Sequence, residues 1–520
     1  LGEFSANLFD GGTDPDGHAD VAILGGQILA RLILVSNRVT MPSADKQRAG
    51  GLEVALAPVL KNPESVWFGW SGEVVEADKV KTHSFERSRR RYVVTDLSEE
   101  DYQEYYSGFA NRVLWPILHY RIDLTEFTRR DLSGYFRVNR HFATELAKIV
   151  RPDDMIWVHD YHLIPIANEL RQRGFANRIG FFLHVPFPAP EVVAVLPNYQ
   201  RLLPLLLQYD LVGFQTEIDV GNFVRYLLAE YRGPSRRVFE ATDGQVMFSY
   251  SGRQTRIGAF PVGIASKEFQ RLASKAVRSS FVQGVMESLG HRALLIGVDR
   301  LDYSKGLIQR MEAFEHFLRL HPAWVGEVTY LQIAPKSRSE IPEYHDLERD
   351  VGAAAGRING AFGDVSWTPI RYLNRSYGRS GLAGLYRSAR AALVTPLRDG
   401  MNLVAKEYIA AQDEDNPGVL VLSRFAGAAP ECVGALLVNP YDPESVAGAI
   451  ANALEMPLAE RKERHAATLS RLRQNGGNVW SENFLNSLRL MGNGLPVEDE
   501  EIAEWAGSTG IDRVLATQRP

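Results

Sequence analysis

Short apolar runs punctuate the chain at intervals that helical stretches fill. In the first half they are LILVSN, VWFGW, YVVTDL, MIWVHD, IGFFLHV and LVGFQT; in the second, ALLIGV, VTYLQIA, AALVTPL, GVLVLS and ALLVNP. Runs this short and this continuous fit strands buried on both faces. Between them the pattern turns helical, as with Leu307, Met311, Phe314, Phe317 and Leu318 in GLIQRMEAFEHFLRL. Such alternation predicts βαβ units and mostly parallel sheets. The two series are separated at FPVGIASKEF, where Pro261 and Gly263 interrupt the pattern after TRIGAF. They predict two Rossmann-like domains. One helix start is sharply marked. In LSEEDYQEYYSGFANRVLWPIL, Ser98 followed by Asp101 reads as a capping box, with Tyr102, Tyr106 and Phe109 on the face that follows and Trp115 ahead of Pro116.

Composition narrows the class. A chain of 520 residues exceeds what one hydrophobic core organises. At 45% hydrophobic and 23% charged it is ordinary for a soluble globular protein. A net charge of -5 lacks the basic excess expected of proteins that bind nucleic acid or anionic membranes, so neither partner is expected. No apolar run is long enough to span a bilayer. The single cysteine, Cys432, excludes an internal disulfide and a cysteine-based zinc site, and fits a cytoplasmic setting. The opening LGEFSANLFDGGTDPDGHAD has neither a basic start nor a signal-like apolar core and reads as a mobile extension; residues 492–520 read as a tail with no assigned role.

The candidate chemistry follows the strands. DRLDYSKG, residues 299–306, joins a strand to a helix, where ligands bind in open α/β sheets, and its Arg300 and Lys305 suit an anion such as phosphate. In TPLRDGMNLVAKEY, the amides of Leu403 and Val404 open a helix and form a ready anion site. Asp399 there suits sugar hydroxyls, although Asp-Gly after a strand is equally a common turn. Gly50 and Gly51 in RAGGLEVAL would let backbone approach a phosphate, but no G-x-G-x-x-G follows the strand, which counts against a dinucleotide-binding dehydrogenase. His159, Asp160 and His162 in WVHDYHL, and His184 in FFLHVPFP, end two strands without the helical spacing of a metal-ligating pair. Arg38 follows the first strand, and Lys336 and Arg338 follow VTYLQIA. A cleft between the two domains would be lined by cations from both, fitting two phosphorylated ligands face to face.

The chain resembles the trehalose-6-phosphate synthases, retaining glycosyltransferases of the GT-B fold. The matching segments are SNR, GGL, WFGWSG, YYSGFANRVLWPILHYR, IWVHDYHL, FFLHVPFP, GFQT, RLDYSKG, IAPKSR, AGRING and LVTPLRDGMNLVAKEY, spread over roughly 31–490. The resemblance implies an α/β GT-B architecture, two Rossmann-like domains whose parallel sheets face a central cleft. It also implies transfer of glucose from UDP-glucose or ADP-glucose to glucose 6-phosphate, giving α,α-trehalose 6-phosphate. The implied organisation is an extension over 1–30, an acceptor-binding domain over 31–262, a nucleotide-sugar-binding domain over 263–480, a helix over 481–491 returning to the first domain, and the tail. Carried over position by position, Arg300 and Lys305 bind the donor diphosphate with the Leu403 and Val404 amides, and Glu407 holds the donor ribose. Gly51 approaches the donor from the other domain, Asp399 and His184 hold the transferred glucose, and Tyr377 contacts the base mainly through backbone. Arg38 and Arg338 grip the acceptor phosphate, Tyr106 and Trp115 shape its pocket, and Asp160 bonds its hydroxyls. Asp160, His184, Arg300, Lys305 and Asp399 form the implied catalytic set, with no cofactor and no metal. A homo-oligomer is left open, as are two alternatives: a non-catalytic sugar-phosphate sensor and a synthase using another phosphorylated acceptor.

Overall fold

A computed structural model describes residues 30–39, 56, 59, 64–87, 90–241, 243–338 and 342–491. Gly50, Gly51, the N-terminal extension and the C-terminal tail lie outside the described residues. Among the described residues, the first sheet comprises β1 (Leu32–Arg38), β2 (Val66–Val75), β3 (Thr82–Arg87), β4 (Arg90–Ser98), β5 (Met155–His159), β6 (Ile179–Phe182), β7 (Leu211–Phe214), β8 (Arg236–Glu240), β9 (Val246–Tyr250) and β10 (Arg253–Ala259). Their order is β3-β4-β2-β1-β5-β6-β7-β10-β9-β8. Pairing is parallel from β4 through to β10 and antiparallel at both edges, β3 on β4 and β10-β9-β8.

The second sheet comprises β11 (Ala293–Val298), β12 (Val328–Ile333), β13 (Ile370–Leu373), β14 (Ala391–Val394), β15 (Val419–Ser423) and β16 (Leu436–Val438). It is parallel throughout, in the order β13-β12-β11-β14-β15-β16. The expected strands are buried as continuous runs, such as Leu294–Val298, Val328–Ile333 and Ala391–Val394, because helices cover both faces. In each sheet the chain winds outward from a pair of central strands, β1 and β5 in the first and β11 and β14 in the second. The crevice at such a switch point is the natural ligand site, and the loops after these strands carry most of the candidate residues.

Two crossings join the halves and run side by side. Ile264 bridges Gly476 in parallel, and the Gly477 amide donates to the Ile264 carbonyl at 3.1 Å. The helix Gly477–Arg489 then packs back on the first sheet, starting ahead of residue 481 because the return crossing at Asn475–Gly477 is already paired with the outward one. Its Phe484 ring stacks on Trp157 at 4.5 Å and lies over Gly180 and Gly213, where an added Cβ would come within 2.7 Å of that ring. The buried Lys406 ammonium pins this junction to the second half, donating to the Val262 carbonyl at 2.8 Å and pairing with Glu431.

Candidate active site

On the second sheet the loop after β11 is fixed from beneath. Arg310, with no exposed side-chain surface, pairs with Asp299 at 2.7 Å and donates to Thr395 Oγ1 at 2.9 Å and to the Lys305 carbonyl at 3.1 Å. Asp302 accepts from the Ser304 amide at 3.0 Å, which sets the short turn Tyr303–Lys305. Gly306 follows at φ 64 beside the Thr395 carbonyl, a conformation and a space that favour glycine. The turn delivers the Lys305 ammonium to Asp399 at 2.5 Å. Asp399 also accepts from Asn402 Nδ2 at 3.0 Å. Asn402, at φ 71, caps the helix Leu403–Ala411 through the Ala405 amide. Leu403 and Val404 therefore open that helix, and their amides have no acceptor within it. Glu407 lies one turn on, and burial pushes its carboxyl up to about 7, partly offset by Arg379. Tyr377 stacks on Phe281 at 5.5 Å, and its hydroxyl accepts from Arg375 at 2.8 Å.

On the first sheet the same crevice is lined differently. Asp160 follows β5 at φ 76, a conformation uncommon for a residue with a Cβ. That backbone turns its carboxylate towards the next strand, where Oδ1 accepts from the His184 amide at 3.2 Å. Burial raises Asp160 to about 6, against the hydrogen bonds from His184 and Tyr161 and the charges of Arg338 and Arg300. His184 Nε2 and His159 Nδ1 are 3.1 Å apart, and burial lowers His184 to about 3, so its imidazole is neutral. Gly400, in the loop after β14, packs directly on the His184 carbonyl, bringing the two crevices into contact.

Aromatic side chains wall this side. The expected cap forms, with Ser98 accepting from the Asp101 amide at 3.1 Å. The chain then winds as a π-helix over Tyr102–Leu114 before an α-helical turn at Trp115–Leu118. π-Helical winding is rare and recurs at functional sites. Trp70 meets Tyr106 at 5.7 Å, Tyr106 stacks on His162 at 5.9 Å, and Trp115 lies 5.9 Å from Tyr161. The exposed Arg38 guanidinium lies 5.4 Å from the Trp70 ring.

Cations from the second half reach across to this wall. Arg338 lies 3.8 Å over the Trp115 ring, and Arg300 lies 6.0 Å from the same ring. Arg338 also pairs with Asp302 at 2.8 Å and donates to the Tyr344 hydroxyl at 2.8 Å. Burial opposes ionisation of Asp302, yet the charges of Arg338, Arg300 and Lys305 outweigh it and hold the carboxyl below the usual range. Arg121 over Tyr303 at 5.4 Å and Arg398 over Tyr120 at 4.1 Å close the cleft further along. Among the described residues no cluster of three His, Cys, Asp or Glu side chains has the arrangement of a metal site.

In this geometry two loops carrying cations meet a wall of aromatic rings. The model of glycosyltransferase family 20 matches residues 30–490. The chain belongs to glycosyltransferase family 20. A trehalose-6-phosphate synthase of Sinorhizobium fredii is 53% identical over 463 residues, 88% of this chain and 98% of that protein. Two of the solved structures that share the fold hold ligands. One is an α,α-trehalose-phosphate synthase (UDP-forming) from Burkholderia xenovorans in complex with glucose-6-phosphate, with a TM-score of 0.84 and 46% identity, covering 88% of this chain and 100% of that one. The other is a trehalose-6-phosphate protein from E. coli bound with UDP-2-fluoro glucose, with a TM-score of 0.82 and 44% identity, covering 89% and 100%.

The family 20 fold is thus the α/β GT-B architecture expected from the sequence. Its cleft brings together Asp160, His184, Arg300, Lys305, Arg338, Asp399 and Trp115 through the contacts above. Arg38 and Tyr106 join through Trp70. Glu407 and Tyr377 lie further along the second sheet, on the helix Leu403–Ala411 and in the loop after β13. Gly51 lies outside the described residues. Sequence reasoning singled out neither Asp302, Tyr161 and Tyr344, which orient Arg338, nor the Asn402 cap. A signal existed for Asp302: Asp-x-Ser directly before a helix is the spacing of a side chain that bonds the backbone two residues on.

Proposed function

We propose that this family 20 glycosyltransferase moves glucose from a nucleoside diphosphate glucose to glucose 6-phosphate with retention, releasing the nucleoside diphosphate and α,α-trehalose 6-phosphate. The observation that carries the reading is the convergence of Arg300 and Arg338 on the Trp115 ring, beside Asp160 and His184. Relatives that bind glucose-6-phosphate and UDP-2-fluoro glucose support it. In this reading 31–262 forms the acceptor domain and 263–480 the donor domain.

The donor diphosphate lies against Arg300, Lys305 and the Leu403 and Val404 amides. The bond between the anomeric carbon and the diphosphate oxygen breaks, and negative charge grows on the leaving group where those donors wait. Asp399 and neutral His184 bind hydroxyls of the transferred glucose, and Glu407 binds the ribose. The acceptor phosphate is gripped by Arg338 and Arg38, and Asp160 accepts from acceptor hydroxyls. The acceptor's anomeric oxygen then attacks from the face the diphosphate leaves, and its proton passes to the departing phosphate oxygen. Two reactants held in one closed cleft account for much of the acceleration. No protein carboxylate forms a glucosyl intermediate in this scheme, and the arginine, lysine and amide donors supply the counter-charge without a metal. Among the described residues no helix is long and apolar enough to cross a membrane; a cytoplasmic setting is part of the proposal.

The test uses purified protein in EDTA with glucose 6-phosphate and, separately, UDP-, ADP- and GDP-glucose, with products identified by NMR. An α,α-linked phosphodisaccharide is expected, and the rates rank the donors. Binding of glucose 6-phosphate without product from any donor would replace this reading with a sugar-phosphate sensor.

A further inference from the structure

Asp302 is fully buried and stands between the two sets of cations. Its two oxygens face different partners. Oδ1 accepts from the Ser304 amide at 3.0 Å and the Ser304 hydroxyl at 2.9 Å. That turn carries Lys305, and its Ser304 carbonyl accepts from the Leu397 amide at 2.8 Å, so it is tied to the segment leading into Asp399. Oδ2 accepts from Arg338 Nη1 at 2.8 Å and from the Tyr344 hydroxyl at 3.1 Å. Arg338 in turn reaches the first half, through the Tyr161 hydroxyl at 3.5 Å and the Trp115 ring at 3.8 Å. Asp302 itself is too enclosed to meet either substrate.

A carboxylate rotates as one rigid plane, so fixing one oxygen fixes the other. We infer that Asp302 is a positioning residue that couples the two phosphate sites: one oxygen sets the lysine turn on the donor side and the other sets the arginine on the acceptor side. The inference rests on the proposed assignment of Lys305 to the donor diphosphate and Arg338 to the acceptor phosphate. When glucose 6-phosphate orders Arg338, it orders Oδ2, hence Oδ1 and the lysine turn. The donor then meets a turn already held, and each ligand tightens the other. A residue that merely stabilised the loop would weaken both ligands and leave their mutual effect alone.

The experiment is calorimetric titration of UDP with and without saturating glucose 6-phosphate, and the reverse, on wild type, D302N, S304A and Y344F. In wild type each ligand is expected to tighten the other by about 5-fold or more. In D302N that factor falls to near unity, with glucose 6-phosphate about 10-fold to 100-fold weaker because Arg338 loses its anionic partner. S304A, whose hydroxyl touches Oδ1, weakens UDP more than glucose 6-phosphate; Y344F, whose hydroxyl touches both Oδ2 and Arg338, does the reverse, and both variants lower the mutual factor. The two hydroxyl variants carry the test if D302N fails to fold. Wild type that binds both ligands with no coupling, coupling retained in D302N, or equal effects of S304A and Y344F would each overturn the inference alone. Wild type that binds neither ligand would overturn the functional reading and the inference with it.

Discussion

The loops after β11 and β14 and the loops after β5 and β6 occupy equivalent places on their sheets, yet they handle charge in opposite ways. On the second sheet charge is kept: Lys305 faces Asp399, and Arg310 faces Asp299, each within a salt bridge. On the first sheet burial works against charge. Burial leaves His184 neutral at about 3, lifts Asp160 to about 6, and lowers His119 to about 4, all among aromatic rings. The first surface suits sugar hydroxyls, which want oriented acceptors and ring faces; the second suits a diphosphate. The guanidinium that lies on the Trp115 wall at 3.8 Å is lent by the second half, through Arg338. Neither half is complete alone, so the reaction proposed here depends on the cleft between them.

The strongest way to break the comparison is to cut the junction that keeps the halves in register. In Lys406→Met the buried Glu431 keeps its hydrogen bond from Asn475 Nδ2 but loses its charge partner. A loss of about 3–5 kcal/mol is expected in urea unfolding; a loss near zero would mean that the pair does not hold the crossings. Removing one cation from the donor side is next. Arg300→Ala should lower kcat/KM by about 10³-fold, with most of the loss in kcat, as for a group that meets charge developing at the leaving oxygen. Steady-state rates with both substrates varied check this, and a change confined to KM would assign Arg300 to ground-state binding.

A smaller effect separates the carboxylates. Asp160 and Glu407 are raised from 3.8 and 4.5 to about 6 and about 7, so the native state holds their protons more tightly than the unfolded chain. On their account stability is greatest below the ordinary values and declines as pH climbs through about 6 and about 7. Activity is expected to run the other way, because in the proposed roles the ionised forms accept the sugar hydroxyls. Glu407→Gln should raise the donor KM by about 10-fold and leave an acidic limb set by Asp160 alone. A pH profile of kcat/KM reads both, and an unchanged limb near neutrality would remove Glu407 from the ionising set. Smallest is Ser98→Ala, which removes the cap ahead of the π-helix and should cost about 1 kcal/mol in thermal unfolding with unchanged donor KM.

The difference between the halves also explains what the sequence reveals. On the second sheet each functional loop is contiguous with its strand, so DRLDYSKG and TPLRDGMNLVAKEY disclose cations, turn and helix start together. The buried parallel strands were legible because their side chains are apolar on both faces. The edge strands β3, β8 and β13, and β9 beside β8, carry no such mark, since THSFER, RRVFE, IRYL and VMFSY are short, alternate or stay partly exposed. On the first sheet the wall is assembled from distant pieces: Trp70, Tyr106, Trp115 and Tyr161 meet only through tertiary packing. Periodicity cannot foresee the π-helical winding that places them, nor the φ of 76 that aims Asp160. The pairing of Arg338 with Asp302 is equally invisible, because 36 residues separate them.

The most direct test of the division between the halves is separate binding of UDP and of glucose 6-phosphate to Lys305→Ala and Arg338→Ala, by calorimetry on each ligand alone. The account predicts a crossed result: Lys305→Ala loses UDP and keeps glucose 6-phosphate, while Arg338→Ala loses glucose 6-phosphate and keeps UDP. Equal losses of both ligands in both variants would contradict it.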